Sequence, residues 1–254
     1  MMKNIAAIIL AAGKGTRLAG GAPSPRAKVL YEIGGKPLIL HTLKLLKKVG
    51  IEEIILVVGH KAEEVKTVAS KAYKFAFQDK RLGTGHAAKL GLAQVSSKAE
   101  TVMVLNGDDS AFYKEETLKK VVEKHFSEAN TITFITLEPI DPTGLGRIIR
   151  ENGQVVEIVE EKDATRQQKK IKEINDGVYV FGRSWLEKNL PTIKKSPVGE
   201  YYLVDLIRLA VSQGEKIEAF KLFDPSEWRG VNTPEELKAA DRYMRERNKD
   251  VGKK

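Results

Sequence analysis

Cysteine is absent from the sequence, which excludes disulfides, thiolate zinc sites and cysteine nucleophiles. Aromatic residues are scarce, at 7%, and there are only four histidines. The longest strongly apolar run, Ile5–Ala12, falls far short of the roughly 18–20 residues that cross a bilayer. Its neighbours Lys14, Gly15 and Arg17 do not make a signal-peptide cleavage region. No Ser- or Pro-rich linker, internal repeat, zinc-finger spacing or aromatic-interleaved basic stretch interrupts the chain. The absences together point to a soluble cytoplasmic protein with neither a membrane nor a nucleic acid as partner.

What is present is ordinary for a globular chain. Hydrophobic residues make up 42% of the 254, and the 21 glycines bring the apolar share to about half. That is enough core for one large α/β domain or two small ones. The net charge is +9, from 43 Lys+Arg against 34 Asp+Glu. A basic balance suits polyanions and also small phosphorylated substrates. Residues 238–254 hold seven basic and three acidic side chains, a pattern that reads first as a solvated helix face.

Short β-rich runs at Ile5–Leu10, Glu53–Val58, Lys74–Gln78, Thr101–Leu105 and Thr131–Thr136 alternate with helical patterns. The latter lie at Leu38–Val49, Lys61–Ser70, Gly85–Gln94 and Glu115–His125. Such alternation predicts right-handed crossovers and a mostly parallel sheet with helices on both faces. After residue 140 the pattern becomes β-rich. A hairpin is expected over 147–159 around Asn152-Gly153, then a strand at Gly177–Phe181, helices near 184–189 and 200–213, and a late strand near 216–221. Thr233-Pro234-Glu235-Glu236 is a helix start, with Thr as N-cap, Pro next and Glu three residues on.

Ligands of an open parallel sheet bind where loops leave the carboxyl ends of strands. The first such loop runs Leu10-Ala11-Ala12-Gly13-Lys14-Gly15-Thr16-Arg17. Small residues and two glycines allow a close backbone approach and an inward-facing nest of N–H groups, and Arg17 can grip a phosphate. The P-loop spacing is missing, since Gly35-Lys36 is followed by Pro37, and the dinucleotide pattern stops at Gly13-Lys14-Gly15.

This loop resembles the signature of the sugar-phosphate nucleotidylyltransferases, and most closely the uridylyltransferase domain of the bifunctional enzyme that makes UDP-N-acetylglucosamine. The resemblance continues through Lys28-Val29-Leu30, Gly35-Lys36-Pro37-Leu38, Gln78 with Leu82-Gly83-Thr84-Gly85-His86-Ala87, and Gly107-Asp108. It resumes at Gly144-Leu145-Gly146-Arg147-Ile148, Ile158–Ala164, Glu173-Ile174-Asn175, Gly199–Leu203 and Gly230-Val231-Asn232. These blocks stand in family order over about residues 4–240.

The resemblance implies a doubly wound, Rossmann-like mixed sheet with an inserted β-rich sugar-binding region. Residues 1–240 would be the nucleotidyltransferase domain, with a nucleotide-binding half to about 140, a sugar-binding half over about 141–232, and a basic helix end and tail at 241–254. The implied reaction joins UTP to a sugar 1-phosphate, N-acetylglucosamine 1-phosphate in first place, releasing pyrophosphate. Positioning and charge dominate such chemistry, so it calls for cations and a hard metal. By resemblance Arg17 and Lys28 are the catalytic cations, and Asp108 and Asn232 hold Mg2+. Leu10, Ala11, Ala12, Gly13, Gly15, Thr16, Gln78, Gly83 and Thr84 bind the nucleotide. Gly146, Glu160, Asn175 and Tyr202 bind the sugar. His86 reads as structural.

Several positions depart from the family. Eleven positions separate Arg17 from Lys28, more than the family has, and Ala27 replaces a proline. The added stretch, Ala19 to Arg26, reads as mobile and leaves two options: a longer loop still delivers Lys28, or Arg26 shares its work. Asp109-Ser110-Ala111 stands where Val-Pro-Leu is usual after the aspartate, and Val204 replaces a threonine. No hexapeptide repeats of the acetyltransferase β-helix follow residue 240, which leaves a monomer or small homo-oligomer open. The alternatives are a uridylyl- or thymidylyltransferase for another sugar 1-phosphate such as glucose 1-phosphate, a catalytically silent nucleotide-sugar binding module, and nucleic-acid binding by the 238–254 helix.

Overall fold

The computed structural model describes residues 4–70 and 72–251. In chain order the elements begin with β1 (Ile5–Ala11), a small hairpin of β2 (Glu32–Ile33) and β3 (Lys36–Pro37), α1 (Leu38–Val49), β4 (Glu53–Val58), α2 (Ala62–Ala69) and β5 (Lys74–Phe77). Next come α3 (Thr84–Leu92), β6 (Thr101–Asn106), α4 (Glu115–Ser127), β7 (Ile132–Leu137), β8 (Gly146–Glu151) and β9 (Gln154–Val159). Last are β10 (Ile174–Gly182), α5 (Arg183–Asn189), α6 (Asp205–Ser212), β11 (Ile217–Lys221) and α7 (Pro234–Val251).

The main sheet runs in the order β11-β7-β10-β6-β1-β4-β5, and the β8–β9 hairpin joins it through β10. β1 pairs in parallel with β4 on one side and β6 on the other, so three carboxyl ends lie side by side. β10 runs antiparallel between β6 and β7. The mixed, mostly parallel doubly wound sheet is therefore as expected.

Side chains on alternate positions of a strand point to opposite faces, and both faces here are apolar. Ile5, Ala7 and Ile9 of β1 join Leu43, Leu46, Val65, Leu118 and Val121 of α1, α2 and α4 in one core. Ala6 and Ile8 join Ala88, Leu92, Leu186, Leu206 and Ile207 of α3, α5 and α6 in another. Near-continuous apolar runs in the central strands are the mark of a sheet covered on both sides. α1 stops at Gly50, whose φ of 94° returns its N–H to the last turn, with Lys47 and Lys48 beside the exposed carbonyls.

α7 packs Ala240 and Met244 on a third cluster with Ile33, Leu38 and Phe112. Arg247 donates to the Phe112 carbonyl at 2.7 Å, and Arg245 pairs with Asp241 at 2.8 Å. Part of the basic helix is thus committed to packing; residues 252–254 of the expected tail lie outside the described residues.

Two expectations are corrected. The helix expected at 200–213 begins only at Asp205, because residues 201–203 are held against the 82–85 loop by backbone hydrogen bonds. The stretch 19–26 is not a free loop. Ser24 is buried; its N–H donates to Lys14 O at 3.0 Å, its hydroxyl meets Tyr31 Oη at 2.7 Å, and its carbonyl lies 2.6 Å from His60 Nε2.

One buried group links the fold to pH. His125 of α4 is buried with Nδ1 3.1 Å from Thr133 Oγ1, and burial lowers its pKa from 6.5 to about 4. The unfolded chain then binds a proton that the folded one refuses, so stability is full above pH 6.5 and declines as pH falls towards 4. Urea unfolding at pH 7, 6 and 5 should show this, with His125→Gln removing up to about 1.4 kcal/mol per pH unit from the slope; parallel slopes in the two proteins would contradict it.

Candidate active site

The carboxyl ends of β1, β5 and β6 open onto a cleft of 440 Å³. One wall is Leu10, Ala11, Ala12 and Gly13, where β1 leaves the sheet. Gly13 has open space above it, so its backbone faces the cleft without a side chain in between. Arg17, Lys28 and Asp108 close one end, and Gln78, Gly83 and Thr84 the other. Glu160, Lys162, Glu200 and Tyr202 come from the second half of the chain.

At the cationic end four residues converge. The Lys28 ammonium donates to Asp108 Oδ2, and to Asn232 Oδ1 at 2.7 Å; Arg17 Nη2 donates to the same Asn232 oxygen at 2.7 Å. Lys28 reaches this point although its loop is long, because Ser24 is tethered and Gly15 (φ 62°) packs against Ser24 and Lys28. Arg26 is exposed, so Lys28 is the cation delivered to Asp108. Asn232 is held by a reciprocal helix cap. Glu236 Oε2 accepts from Asn232 N at 2.5 Å and from Thr233 N at 3.1 Å, and Thr233 Oγ1 accepts from Glu236 N at 3.2 Å.

These contacts test the residues as a metal site. A carboxylate oxygen and an amide oxygen share one ammonium, so they converge on a point where a cation belongs. Both are hard oxygen donors, as Mg2+ requires. Among the described residues no three His, Asp or Glu side chains form a metal-binding group, so the donor set fits a cation that takes further ligands from phosphate and water.

At the other end Gln78 is buried, and its amide nitrogen lies 3.2 Å from Gly83 O and 3.1 Å from His86 Nδ1. A carbonyl only accepts, so Gly83 O fixes which end of the amide points inward and leaves Oε1 to the cleft. His86 acts as the support for Gln78. The loop beyond is clamped across the cleft: Gly85 N donates to Tyr201 O at 2.8 Å, Tyr201 N to Leu82 O at 2.7 Å, and Leu203 N to Thr84 Oγ1 at 3.0 Å.

The second half contributes a charged rim. Lys162 pairs with Glu200 at 2.7 Å and stands 5.0 Å from the centre of the Tyr202 ring. Burial raises the Glu160 carboxyl above its usual range, opposed by Lys162. Behind the cleft, Asp176 is buried and accepts from Tyr113 Oη. Burial pushes both Asp176 and Asp109 well upward, the charges of Asp108 and Asp176 adding to the effect at Asp109.

Of the residues singled out from the sequence, twelve line the cleft: Leu10, Ala11, Ala12, Gly13, Arg17, Lys28, Gln78, Gly83, Thr84, Asp108, Glu160 and Tyr202. Asn232 touches Arg17 and Lys28. Gly15 and Thr16 stand outside its walls: Gly15 packs under Lys28, and the Thr16 carbonyl accepts from Gly21 N at 2.8 Å to shape the turn. Gly146 and Asn175 also stand outside, paired with each other across β8 and β10. Arg81, Asn106, Lys162 and Glu200 line the cleft without having been singled out. Lys162 and Glu200 fall within the family blocks and Asn106 stands two positions before Asp108 at a strand end, whereas Arg81 carried no local signal.

A glycine-containing loop, a Lys–Arg pair and two oxygen donors lie together at the mouth of a doubly wound sheet. Residues 6–247 match the nucleotidyl transferase family model, and the chain belongs to that family. It is 41% identical over 248 residues to the bifunctional protein GlmU of Acetivibrio thermocellus, covering 97% of this chain and 53% of that protein. To GlmU of Thermoanaerobacter pseudethanolicus it is 40% identical over 249 residues, covering 97% and 53%. The chain thus spans about half the length of the curated relatives it matches. A putative glucose-1-phosphate thymidylyltransferase from Bacillus anthracis, solved with sucrose, shares the fold with a TM-score of 0.78 at 22% identity, covering 95% of each chain. No described helix is long and apolar enough to cross a membrane.

The clamp between residues 82–85 and 201–203 depends on Gly83, whose φ is 96° and whose Cβ would overlap the Tyr201 carbonyl. Gly83→Ala should cost about 1–3 kcal/mol and speed hydrogen exchange at the amides of Gly85 and Tyr201. Unchanged exchange at those two amides would show that the clamp does not rely on glycine.

Proposed function

We propose that the protein condenses UTP with a sugar 1-phosphate, N-acetylglucosamine 1-phosphate being the preferred acceptor, to give a UDP-sugar and pyrophosphate. The observation that carries this reading is the convergence of Arg17, Lys28, Asp108 and Asn232 at one end of a cleft whose other end presents Gln78. A module that had lost catalysis would have no reason to keep all four.

An oxygen of the sugar 1-phosphate attacks the α-phosphorus of UTP, and the bond to the β-phosphate oxygen breaks, with its electron pair leaving on pyrophosphate. The attacking group is already an anion, so no side chain has to remove a proton. The barrier is the approach of two polyanions and the spread of charge on the phosphoryl oxygens. Arg17 and Lys28 supply fixed positive charge there, Arg17 with a planar fork suited to phosphate. Asp108 and Asn232 would hold Mg2+, which when bound withdraws charge from the phosphates.

The nest at Ala11–Gly13 receives the nucleotide, and Gln78 Oε1 accepts from the imide N–H of uracil. Cytosine lacks that donor, so a site built around Gln78 leaves a buried acceptor unpaired with it. Thymine carries the same imide edge, so selection against dTTP falls to contacts with the 5-position and the ribose. Glu160 and Tyr202, which line the cleft, are the proposed sugar-binding groups, Glu160 accepting from sugar hydroxyls, with Asn175 and Gly146 paired with each other outside its walls.

Pyrophosphate release with Mg2+, measured over four nucleotides and several sugar 1-phosphates, tests the reading. A signal for UTP with N-acetylglucosamine 1-phosphate is expected. A signal only with dTTP, or only with glucose 1-phosphate, replaces the substrate assignment, and silence from folded protein overturns the reaction. Lys28→Ala should lower kcat by about 100-fold or more while changing the KM for UTP far less, as for a contact that strengthens in the transition state. Equal changes in kcat and KM would assign Lys28 to substrate binding alone.

A further inference from the structure

Asp109 stands where the family has valine, and nothing in the reaction described above uses it. Its neighbour in space is Asn106, the last residue of β6, which lines the cleft. Asn106 sits opposite Leu10 in the β1–β6 register, beside the nucleotide wall. Its other flank is β10, where Gly177 lies against the Asn106 side chain. Asn106 therefore stands at the border between the nucleotide side and the acceptor side of the cleft.

Two features set the direction of its amide. Asn106 Nδ2 lies 3.4 Å from Asp109 Oδ2. The same nitrogen is packed against Gly177, whose φ is 95° and where a Cβ would overlap Nδ2; the Asn106 Oδ1 is the amide atom farther from Gly177, at 3.8 Å from the same position. A carboxyl oxygen that accepts must face the amide nitrogen, never the amide oxygen. Nδ2 is thereby turned to the protein, and Oδ1 is what Asn106 can present to a ligand. An amide oxygen accepts only; it reads a hydroxyl or an N–H and repels a phosphate.

We propose that Asp109 is a positioning residue that holds Asn106 with its carbonyl toward the acceptor sugar, where Asn106 accepts a hydrogen bond from one sugar hydroxyl. The inference rests on the uridylyltransferase reading and assigns it a specificity group for the sugar rather than for its phosphate. It also gives Asp109 a role that a valine could not fill, since a valine at 109 would offer Nδ2 no acceptor.

The test is steady-state kinetics of wild type, Asp109→Ala, Asp109→Asn and Asn106→Ala with the best sugar 1-phosphate and with its deoxy analogues, each lacking one hydroxyl. Thermal midpoints and the KM for UTP are measured in parallel. Asp109→Ala and Asn106→Ala should each raise the KM for the sugar 1-phosphate about three- to tenfold, the range for one hydrogen bond, with kcat and the KM for UTP nearly unchanged. The double variant should be no worse than Asn106→Ala, and Asp109→Asn, which keeps an acceptor, should restore most of the loss. One deoxy analogue should be insensitive to Asn106→Ala. If both KM values rise together, or all deoxy analogues respond alike, or Asp109→Asn behaves as Asp109→Ala, the positioning role is overturned. Wild-type silence with every sugar 1-phosphate overturns the uridylyltransferase reading and this inference with it, whereas active wild type with unaffected variants overturns this inference alone.

Discussion

The site depends on β1 being paired in parallel along both edges. Its registers with β4 and β6 set Ala11 beside Val58 and Leu10 beside Asn106, so three chain exits open at one level. Parallel strands require crossovers of a dozen or more residues, and α1, α2 and α3 with their loops supply them. The hydrophobic sequence of β1 commits both faces to separate cores, which leaves only its carboxyl end free to meet a ligand. Leu10–Gly13, Asn106 and Asp108 sit at or just beyond the ends of β1 and β6, and Gln78 just beyond β5.

Charge is the second constraint. A protein that handles polyanions needs cations that are close together, and unpaired cations repel each other. Here Arg17 and Lys28 both donate to Asn232 Oδ1, and Lys28 also meets Asp108. The arrangement keeps two positive groups within reach of one point and satisfies them with oxygens suited to a metal. The capping interactions around Glu236 give Asn232 a rigid footing, so the cluster is tied to the sheet on one side and to α7 on the other.

The cleft is closed by contacts between distant parts of the chain. The 82–85 loop hangs on Tyr201 through backbone bonds and on Leu203 through the Thr84 hydroxyl, and Lys162 reaches Glu200 from the end of β9. β10 joins the halves, antiparallel to β6 near one end and to β8 near the other. The missing side chain at Gly177 makes room for Asn106. The buried Asp176 and the partly buried Asp109 lie behind this junction.

Local pattern alone determined much of this. Alternation of apolar strands with three- and four-residue helical spacing marks the doubly wound sheet, because periodicity reports which faces are buried. The Leu10–Arg17 loop, the Thr233–Glu236 cap and the family blocks marked the candidate residues, since small-residue turns and caps are encoded within a few positions. Tertiary structure alone decided the rest. The place of β10 between β6 and β7, the tethering of the long loop at Ser24, and the non-helical course of 201–203 all come from partners tens of residues away. Arg81, Lys162 and Glu200 belong to the cleft only because separate loops meet there, and the amide orientations of Gln78 and Asn106 follow from acceptors that the fold brings alongside. A side chain's chemistry is written in its own position, but the direction in which it acts is set by whatever packs against it.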